Sequence, residues 1–330
     1  MRLPAHTGAI CLTMLLWPAA ALLGGEPAGW RAEWPKTDFS RHSVDLAEIL
    51  SGGPPKDGIP PIDDPRFVPV AEAELPAEEP VIGLTIDGEA RAYPLRILIW
   101  HEIVNDVVGG VPVAVTYCPL CNTGIVFDRR LDGEVLEFGT TGKLRRSDLV
   151  MYDRTTESWW QQFLGEAIVG ELTGRQLEML PSRLESFAKF KERAPDGQVQ
   201  VADDGFMRAY GRNPYAGYDR SPAPFLYHGP LPAGIAPLAR VVRVDDQAWA
   251  LDLLREQREI EAGDLRLTWE PGQTSALDSG TIAEGWDVGN VLVQRKAGDG
   301  WEDAVYSLDF AFAFHAFFPE APIHTSWPPA

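Results

Sequence analysis

The chain has 330 residues, of which 45% are hydrophobic, so it is long enough to bury one large core or two medium ones. Its formal charge of -19 comes from 48 acidic and 29 basic residues. We find no cluster of Lys and Arg dense enough to follow a phosphate backbone, so nucleic acid is excluded as an expected partner. The acidic residues are spread along the chain, which is typical of a solvated surface.

The first 25 residues, MRLPAHTGAICLTMLLWPAAALLGG, have the layout of a secretory signal. A basic start precedes an apolar run from Ala9 to Trp17, and small residues follow, with a cleavage site expected after Ala21. The run is too short to predict a stable membrane span, although the sequence leaves open whether the segment is cleaved. Cleavage would remove Cys11 and leave Cys118 and Cys121 in an oxidising compartment. We therefore expect a periplasmic or secreted protein.

Residues 26–80 are rich in proline and glycine, as in SGGPPKDGIPPIDDPRF, and this composition excludes a continuous helix. Ile59, Ile62 and Phe67 interleave with the prolines. We therefore expect an ordered strap laid over the domain rather than a loose linker.

Residues 81–215 form the first of two predicted units. Short alternating runs predict antiparallel strands, with hairpin turns at Asp87-Gly88 and Asp132-Gly133. Helices are predicted in PLRILIWHEIVND and in PSRLESFAKFKERAP, and VPVAVTYC is predicted as a strand that ends at Cys118. The expected fold class is α+β and predominantly β, with short antiparallel strands and a few packed helices.

Residues 216–330 begin with a loop and continue as a degenerate second copy of this unit. IDGEARAYPL matches VDDQAWALDL, TYCP matches TWEP, and FAKFKERAPD matches AFAFHAFFPE, in the same order. The second copy has Glu270 in place of Cys118 and has no counterpart to LRRSDLVMYDRTTESWWQQF. The residues found only in the first copy are therefore expected to serve a site rather than the scaffold.

Cys118 and Cys121 have the Cys-x-x-Cys spacing that two metal ligands use. Two thiolates and an imidazole suit zinc or copper(I), and His101 at the end of a predicted helix is the candidate third ligand. Glu102, Asp148 and Asp153 are candidates for completing the shell, and Glu102 or Asp148 is the candidate base toward a metal-activated water. The chain has neither a second Cys-x-x-Cys pair nor a paired histidine, which disfavours a purely structural zinc site.

Two other interpretations of the pair stay open. Thiol-disulfide oxidoreductases use the same spacing but place the first thiol at a helix N-terminus, whereas NTGIVFD after this pair predicts a turn and a strand. A structural disulfide that braces a ligand-binding loop is the other alternative. Covalent haem is disfavoured because Asn122 occupies the position of the haem-ligating histidine.

A second candidate site lies in TTGKLRRSDLVMYDRTTESWW, where charges of both signs accompany aromatic residues. Such a surface can hold a sugar or another polar ligand. The candidate ligand-binding residues are Lys143, Tyr152, Asp153, Trp159 and Trp160. The alternative is a tryptophan pair buried for packing and flanked by surface ion pairs. Downstream, YGRNPYAGYDRSPAPFLYHGP has the composition of a lid or binding loop.

Several long motifs resemble the family of unknown function DUF3179: SGGPPKDGIPPIDDPRF, AYPLRILIWHEIVND, PVAVTYCPLCNTGIVFDR, FGTTGKLRRSDLVMYDRTTESWWQQF, GEAIVGELTG and YGRNPYAGYD. The resemblance covers nearly all of the mature chain. It implies an exported, bacterial-type protein, and it assigns no catalytic residue because the family has no assigned reaction.

The sequence thus predicts an exported metal-binding protein in which Cys118, Cys121 and His101 hold zinc or copper, with an enzymatic role left open. A non-catalytic ligand-binding module and a thiol-disulfide oxidoreductase are the alternatives. The expected partner is a small molecule or metal ion, without nucleic acid and without stable membrane insertion after signal removal.

Overall fold

The computed structural model describes residues 29–202, 205 and 207–328. The predicted signal segment therefore lies outside the described residues. Among the helices that are described, none is both long enough and apolar enough to cross a membrane.

The described chain folds mainly into short strands. They are β1 (Ile49–Ser51), β2 (Arg66–Pro69), β3 (Pro80–Ile86), β4 (Glu89–Pro94), β5 (Ile103–Val108), β6 (Val111–Cys118), β7 (Thr123–Asp128), β8 (Arg130–Leu131), β9 (Glu134–Val135), β10 (Phe138–Arg145), β11 (Asp148–Asp153), β12 (Trp159–Gln161), β13 (Glu166–Val169), β14 (Met179–Leu180), β15 (Arg183–Ser186), β16 (Gln198–Val201), β17 (Arg240–Val244), β18 (Gln247–Ala250), β19 (Glu259–Ala262), β20 (Leu265–Glu270), β21 (Asn290–Ala297), β22 (Gly300–Asp303), β23 (Ser307–Phe310) and β24 (Ile323–His324).

The helices in this part of the chain are few and short. They are α1 (Trp30–Glu33), α2 (Leu95–His101), α3 (Phe187–Arg193), α4 (Leu251–Gln257) and α5 (Ala311–Phe317). Each of α2 to α5 has 7 residues and begins directly after a strand.

Five sheets of four or five strands are arranged as a β-propeller. Their strand orders are β15-β3-β4-β16-β2, β14-β7-β6-β5, β1-β10-β11-β12-β13, β23-β17-β18-β24 and β19-β20-β21-β22. The prediction of a predominantly β chain with few helices is confirmed. The propeller itself was not predicted, because its sheets join strands that are distant in sequence, such as β2 with β16 and β1 with β10.

Two parts of the chain have the same order of elements. The first runs β3-β4-α2-β5-β6-β7 and later β15-α3-β16, and the second runs β17-β18-α4-β19-β20-β21 and later β23-α5-β24. In each part the last strand pairs in parallel with the second, β16 with β4 and β24 with β18. The sequence matches noted above fall at equivalent places in these two series.

The hairpin turns are confirmed, whereas both predicted helices are shorter than expected. Asp87-Gly88 and Asp132-Gly133 have positive φ and join β3 to β4 and β8 to β9. Helix α2 ends at His101, because the following IVNDVV is rich in β-branched residues and pairs with β6 as β5. Similarly, only α3 of PSRLESFAKFKERAP is helical, and the preceding RLES forms β15 on the edge of β3.

The proline-rich strap is ordered and belongs to two blades. Strand β1 extends the sheet of β10, and β2 extends the sheet of β16. Trp34 anchors the beginning of the strap, since its side chain is fully buried beside Tyr152 and Trp159. The strap therefore covers blade surface that would otherwise be exposed.

Candidate functional site

The two cysteines lie in the turn between β6 and β7. Cys118 ends β6 and pairs with Thr123, which begins β7. The turn closes through Asn122, whose φ of 56° is a left-handed conformation that asparagine adopts more readily than most residues. Both thiols are buried and neither is oxidised in the structure.

Strand β23 of the second part of the chain holds this turn in place. The Phe310 amide donates to the Cys121 carbonyl at 2.9 Å, and the Asn122 side chain donates to the Leu308 carbonyl at 2.9 Å. The Thr123 hydroxyl donates to Asp309 at 2.7 Å. The position of the cysteines thus depends on contacts across more than 180 residues of sequence, as the 186-residue separation of these partners shows.

Asp148 approaches the cysteines from another blade. It begins β11, directly after a tight turn in which Arg146 and Ser147 have φ of 56° and 68°. Its Oδ2 atom accepts hydrogen bonds from the Gln161 side chain at 2.7 Å and from the Phe163 amide at 2.9 Å. Its Oδ1 atom is buried and has no hydrogen-bond partner in the described structure.

These three side chains form a compact group. The sulfur atoms of Cys118 and Cys121 and a carboxylate oxygen of Asp148 all lie within 4.8 Å of one another, and all three residues are buried. In the part of the chain that is described, no other cluster of His, Cys, Asp and Glu side chains meets the same distance limit. The structure therefore brings together three of the residues that the sequence singled out.

The electrostatics of the group favour neutral ligands when no cation is present. Burial raises the pKa of Asp148 to about 7, an effect that its hydrogen bonds oppose. Burial also raises the pKa of Cys118 and of Cys121, and a hydrogen bond to Cys121 partly offsets the rise at Cys118. A bound cation would reverse this preference, because it stabilises the thiolate and carboxylate forms.

Glu102 is a further buried carboxylate close enough to interact with Asp148 and Cys118. It caps the end of α2 with φ of 61°, and its carbonyl accepts from the Tyr117 amide at 2.8 Å, next to Cys118. Burial raises the pKa of Glu102 to about 8, and the negative charge of Asp148 adds to this rise. Arg258 occupies the equivalent cap of α4, and its carbonyl accepts from Trp269 in the same way.

His101 lies outside the group of three. Its Nδ1 atom is 2.7 Å from the Pro60 carbonyl oxygen, and its Nε2 atom is 2.8 Å from the Tyr210 hydroxyl. The two rings stack with centroids 5.8 Å apart. In this structure the imidazole therefore links the strap to the loop of Tyr210, and Asp148 rather than His101 lies close to the two sulfur atoms.

The second predicted site does not form a surface for a ligand. Trp159 and Trp160 are both 0% exposed, so neither indole face is accessible. Trp160 donates to Asp153, whose carboxylate also accepts from the Thr156 amide. These contacts correspond to the packing alternative and leave the two indoles outside the site that we propose.

The remaining members of that predicted site also hold the fold together. Lys143 pairs with Glu33 at 3.0 Å, and its ammonium group lies 5.5 Å from the ring of Trp159. The Tyr152 hydroxyl donates to Asp57 of the strap. Both residues thus fasten the strap to its blade.

A tyrosine-rich loop covers the cysteine turn. We call residues 207–236 the Tyr loop. The Tyr218 hydroxyl donates to the Leu120 carbonyl at 3.0 Å, inside the Cys-x-x-Cys turn itself. Asp219 forms a buried ion pair with Arg240 at 3.2 Å. The sequence indicated this loop through its composition. It did not indicate Gln161, whose side chain donates a hydrogen bond to Asp148.

The comparison with protein families covers nearly the whole chain. Residues 56–321 match the model described as "Protein of unknown function (DUF3179)". The chain belongs to the DUF3179 family. No curated protein and no solved structure matches the chain. The DUF3179 match contains every residue of the cysteine and aspartate group, and the family description assigns them no role.

Proposed function

We propose that this DUF3179 protein is an exported metal-binding protein, and that Cys118, Cys121 and Asp148 are its ligands for zinc or copper(I). The observation that carries the proposal is the convergence of two sulfurs and one carboxylate oxygen within 4.8 Å. The periplasmic or secreted location rests on the signal-like residues 1–25.

The donor set fits a soft or borderline metal ion. Thiolates bind zinc and copper(I), and zinc also accepts a carboxylate oxygen. Ligand atoms around one tetrahedral zinc ion lie about 4 Å apart, as Zn–S distances of about 2.3 Å require. The limit of 4.8 Å within which the three atoms lie is compatible with that value.

The unsatisfied oxygen of Asp148 supports the same proposal. A buried acceptor without a partner costs free energy, on the order of 1–3 kcal/mol, unless something binds it. Oδ2 is already held by Gln161 and Phe163, which fixes the carboxylate and leaves Oδ1 for an ion. Three protein ligands would leave one position open, as in catalytic zinc sites.

An enzymatic role would use that open position. Glu102 is a buried carboxylate whose charge interacts with both Cys118 and Asp148. As a general base it would accept a proton from a metal-bound water. Asp148 then serves as a ligand rather than as the catalytic base that the sequence also suggested.

The test is the intact native mass of the protein purified without added metal or chelator. We expect a mass increase of one metal ion in the wild type, its loss in Asp148→Asn and in Cys121→Ser, and its retention in His101→Gln. The His101→Gln variant separates the two ligand sets, because it removes the imidazole and leaves all three proposed donors. A metal-free wild type, or a metal lost only with His101, would contradict the proposal.

A dithiol–disulfide couple is the second candidate, favoured by the closeness of the two sulfur atoms, which lie within 4.8 Å of each other. Formation of the Cys118–Cys121 bond would release two protons and pass two electrons to an external disulfide, which is reduced to two thiols. Asp148 is positioned to accept one of the protons. The same mass experiment distinguishes this candidate, because an oxidised pair is lighter by two hydrogens and holds no metal.

We also infer that the chain arose by duplication. The shared element order, the parallel closing strands and the matching caps at Glu102 and Arg258 support this inference. Glu270, at the place of Cys118, is a partly exposed partner of Lys189. The metal site would then belong to one copy, with β23 of the other copy as its support.

A further inference from the structure

A cleft of about 490 Å³ lies between the strap, the turn that precedes Asp148 and the Tyr loop. Four elements form its walls: residues 47–50 of the strap, the turn between β10 and β11, residues 226–230 of the Tyr loop, and the end of α5. Leu50, Leu226, Ala316 and Pro319 give it a largely apolar lining. Its size is within the range of small-molecule sites.

The polar lining of the cleft is mainly basic. Arg146, His228 and His315 line it, and neither imidazole has a hydrogen-bond partner in the described part of the chain. Glu48 is the acidic lining residue, and its carboxylate is engaged by Arg145 at 2.7 Å and by Arg146 at 3.5 Å. Such a grouping stands out in a chain with a net charge of -19.

Arg146 is held in position to receive an anion. One guanidinium nitrogen donates to the Ala316 carbonyl, and the ring of Phe317 lies 5.6 Å from the guanidinium carbon. The side chain is still 34% exposed. An arginine that is fixed on one side and open on the other is suited to a carboxylate or a sulfonate, which it can bind through two parallel hydrogen bonds.

The opposite wall contains a strained residue. Leu226 has φ of 51°, a left-handed conformation that is rare for leucine. Its neighbour Phe225 is held by the Ser147 hydroxyl, which donates to the Phe225 carbonyl, and is itself 56% exposed. Strain of this kind persists where surrounding contacts enforce it, and it is concentrated at ligand-binding sites.

We propose that this cleft binds a small organic anion with an apolar body, such as a carboxylate or a sulfonate. Arg146 binds the anionic group, assisted by His228 and His315, and the apolar body packs on Leu50 and Leu226. Arg146 belongs to the turn that precedes Asp148, so the cleft and the proposed metal group are connected through that turn. The proposal does not require a metal.

The test compares two fluorescent dyes on the mature protein. 8-Anilinonaphthalene-1-sulfonate is an aromatic anion, and N-phenyl-1-naphthylamine has the same ring system without the sulfonate. We expect the anionic dye to bind the wild type at least about tenfold more tightly, the ratio that one charge-assisted hydrogen bond commonly provides. Equal affinities for the two dyes would overturn the proposal.

Substitutions at two arginines test whether the anionic dye binds in the cleft. Arg146→Gln keeps a donor for Ala316 but removes the charge, so it should weaken the anionic dye by about tenfold and leave the neutral dye unchanged. Arg130→Gln, at an exposed arginine paired with Asp128, is the matched control and should change neither. An unchanged affinity of Arg146→Gln for the anionic dye would overturn the proposal.

A second variant makes the test independent of Arg146. Ala47 is an exposed residue that lines the cleft, so Ala47→Trp fills the cleft without disturbing the core. We expect both dyes to be weakened together, by at least about tenfold, because a filled cleft excludes the shared ring system. Retention of both affinities in Ala47→Trp would show that the dyes bind elsewhere and would overturn the proposal.

Discussion

At the scale of single residues, the site depends on Asp148. Its carboxylate combines two satisfied contacts at Oδ2 with an unsatisfied Oδ1, and it lies beside two buried thiols. A neutral aspartic acid can occupy this position without a metal, since burial raises its pKa to about 7. In the proposed function the same residue is protonated below about pH 7 in the metal-free protein and would be a charged ligand in the metal-bound protein.

The stability of the metal-free protein should depend on pH through the titration of Asp148. The pKa of Asp148 is raised from 3.8 to about 7 in the folded state, so its stabilising contribution is fully present below pH 3.8 and is lost as the pH rises through 7. Asp148→Asn lacks this titration. We compare the free energy of unfolding of the variant with that of the wild type in chelator-treated protein. We expect the variant to be more stable relative to the wild type at pH 8 than at pH 5. Urea denaturation at the two pH values measures it, and an equal difference at both would contradict the assignment.

Metal binding should follow the opposite trend with pH. The ligands must lose their protons to bind a cation, and burial raises the pKa of both thiols and of the carboxylate. Zinc affinity of the apo protein is therefore expected to rise steeply between pH 6 and about pH 8, by more than about tenfold. Competition titration with a chromogenic chelator measures it. A pH-independent affinity would show that these groups are not the ligands.

At the scale of elements, the Tyr loop covers the cysteine turn. It reaches the turn through Tyr218 and is fastened to α2 by the bond between Tyr210 and His101. This arrangement explains why the two cysteines of the turn are buried. It also gives His101 a role in holding the loop, in place of the ligand role predicted from the sequence.

Removing the hydrogen bond between Tyr210 and His101 should expose the thiols. Tyr210→Phe removes a hydrogen bond worth about 1 kcal/mol, so opening of the loop should become about fivefold more frequent. We expect the rate of alkylation of Cys118 and Cys121 by iodoacetamide in the metal-free protein to rise accordingly. Tyr152→Phe is the matched control, because it removes a tyrosine hydrogen bond to Asp57 of the strap, away from the loop. Equal alkylation rates in both variants would contradict the role of the loop.

The sequence predicted elements well where the signal was local. Asp-Gly turns and the strand before Cys118 follow from short-range backbone preferences, and both are confirmed. The end of α2 was misplaced because IVND continues a plausible helical pattern, and only its pairing with β6 makes it a strand. Tertiary pairing outweighs local propensity at such positions.

At the scale of the whole molecule, the site joins parts that are distant in sequence. Cys118 and Cys121 come from one blade, Asp148 from another, and β23 from a third supports the turn. The sequence could select these residues by type and spacing, but it named His101 as the third ligand, whereas Asp148 is the residue that lies close to the two sulfur atoms. That choice depends on how the blades are placed around the propeller, which no local pattern specifies.

The support from the second part of the chain can be tested through Asp309. It is fully buried and pairs with Arg243 at 3.0 Å while accepting from Thr123. Asp309→Ala should lower the free energy of unfolding by about 3–5 kcal/mol, because it leaves a buried arginine without its partner. Asp264→Ala, which breaks an exposed pair with Arg295, should lower the free energy of unfolding far less, because solvent screens that pair. Similar costs for the two variants in urea denaturation would contradict the structural role of Asp309.

The central claim is that two sulfurs and one carboxylate bind one metal ion, and X-ray absorption spectroscopy of the metal retained after purification tests it most directly. We predict two sulfur ligands per metal, at about 2.3 Å for zinc, with oxygen completing the shell and no imidazole scattering pattern. Asp148→Asn should lose the oxygen contribution or the metal itself. A shell without sulfur, or one with an imidazole in place of the carboxylate oxygen, would contradict the proposed site.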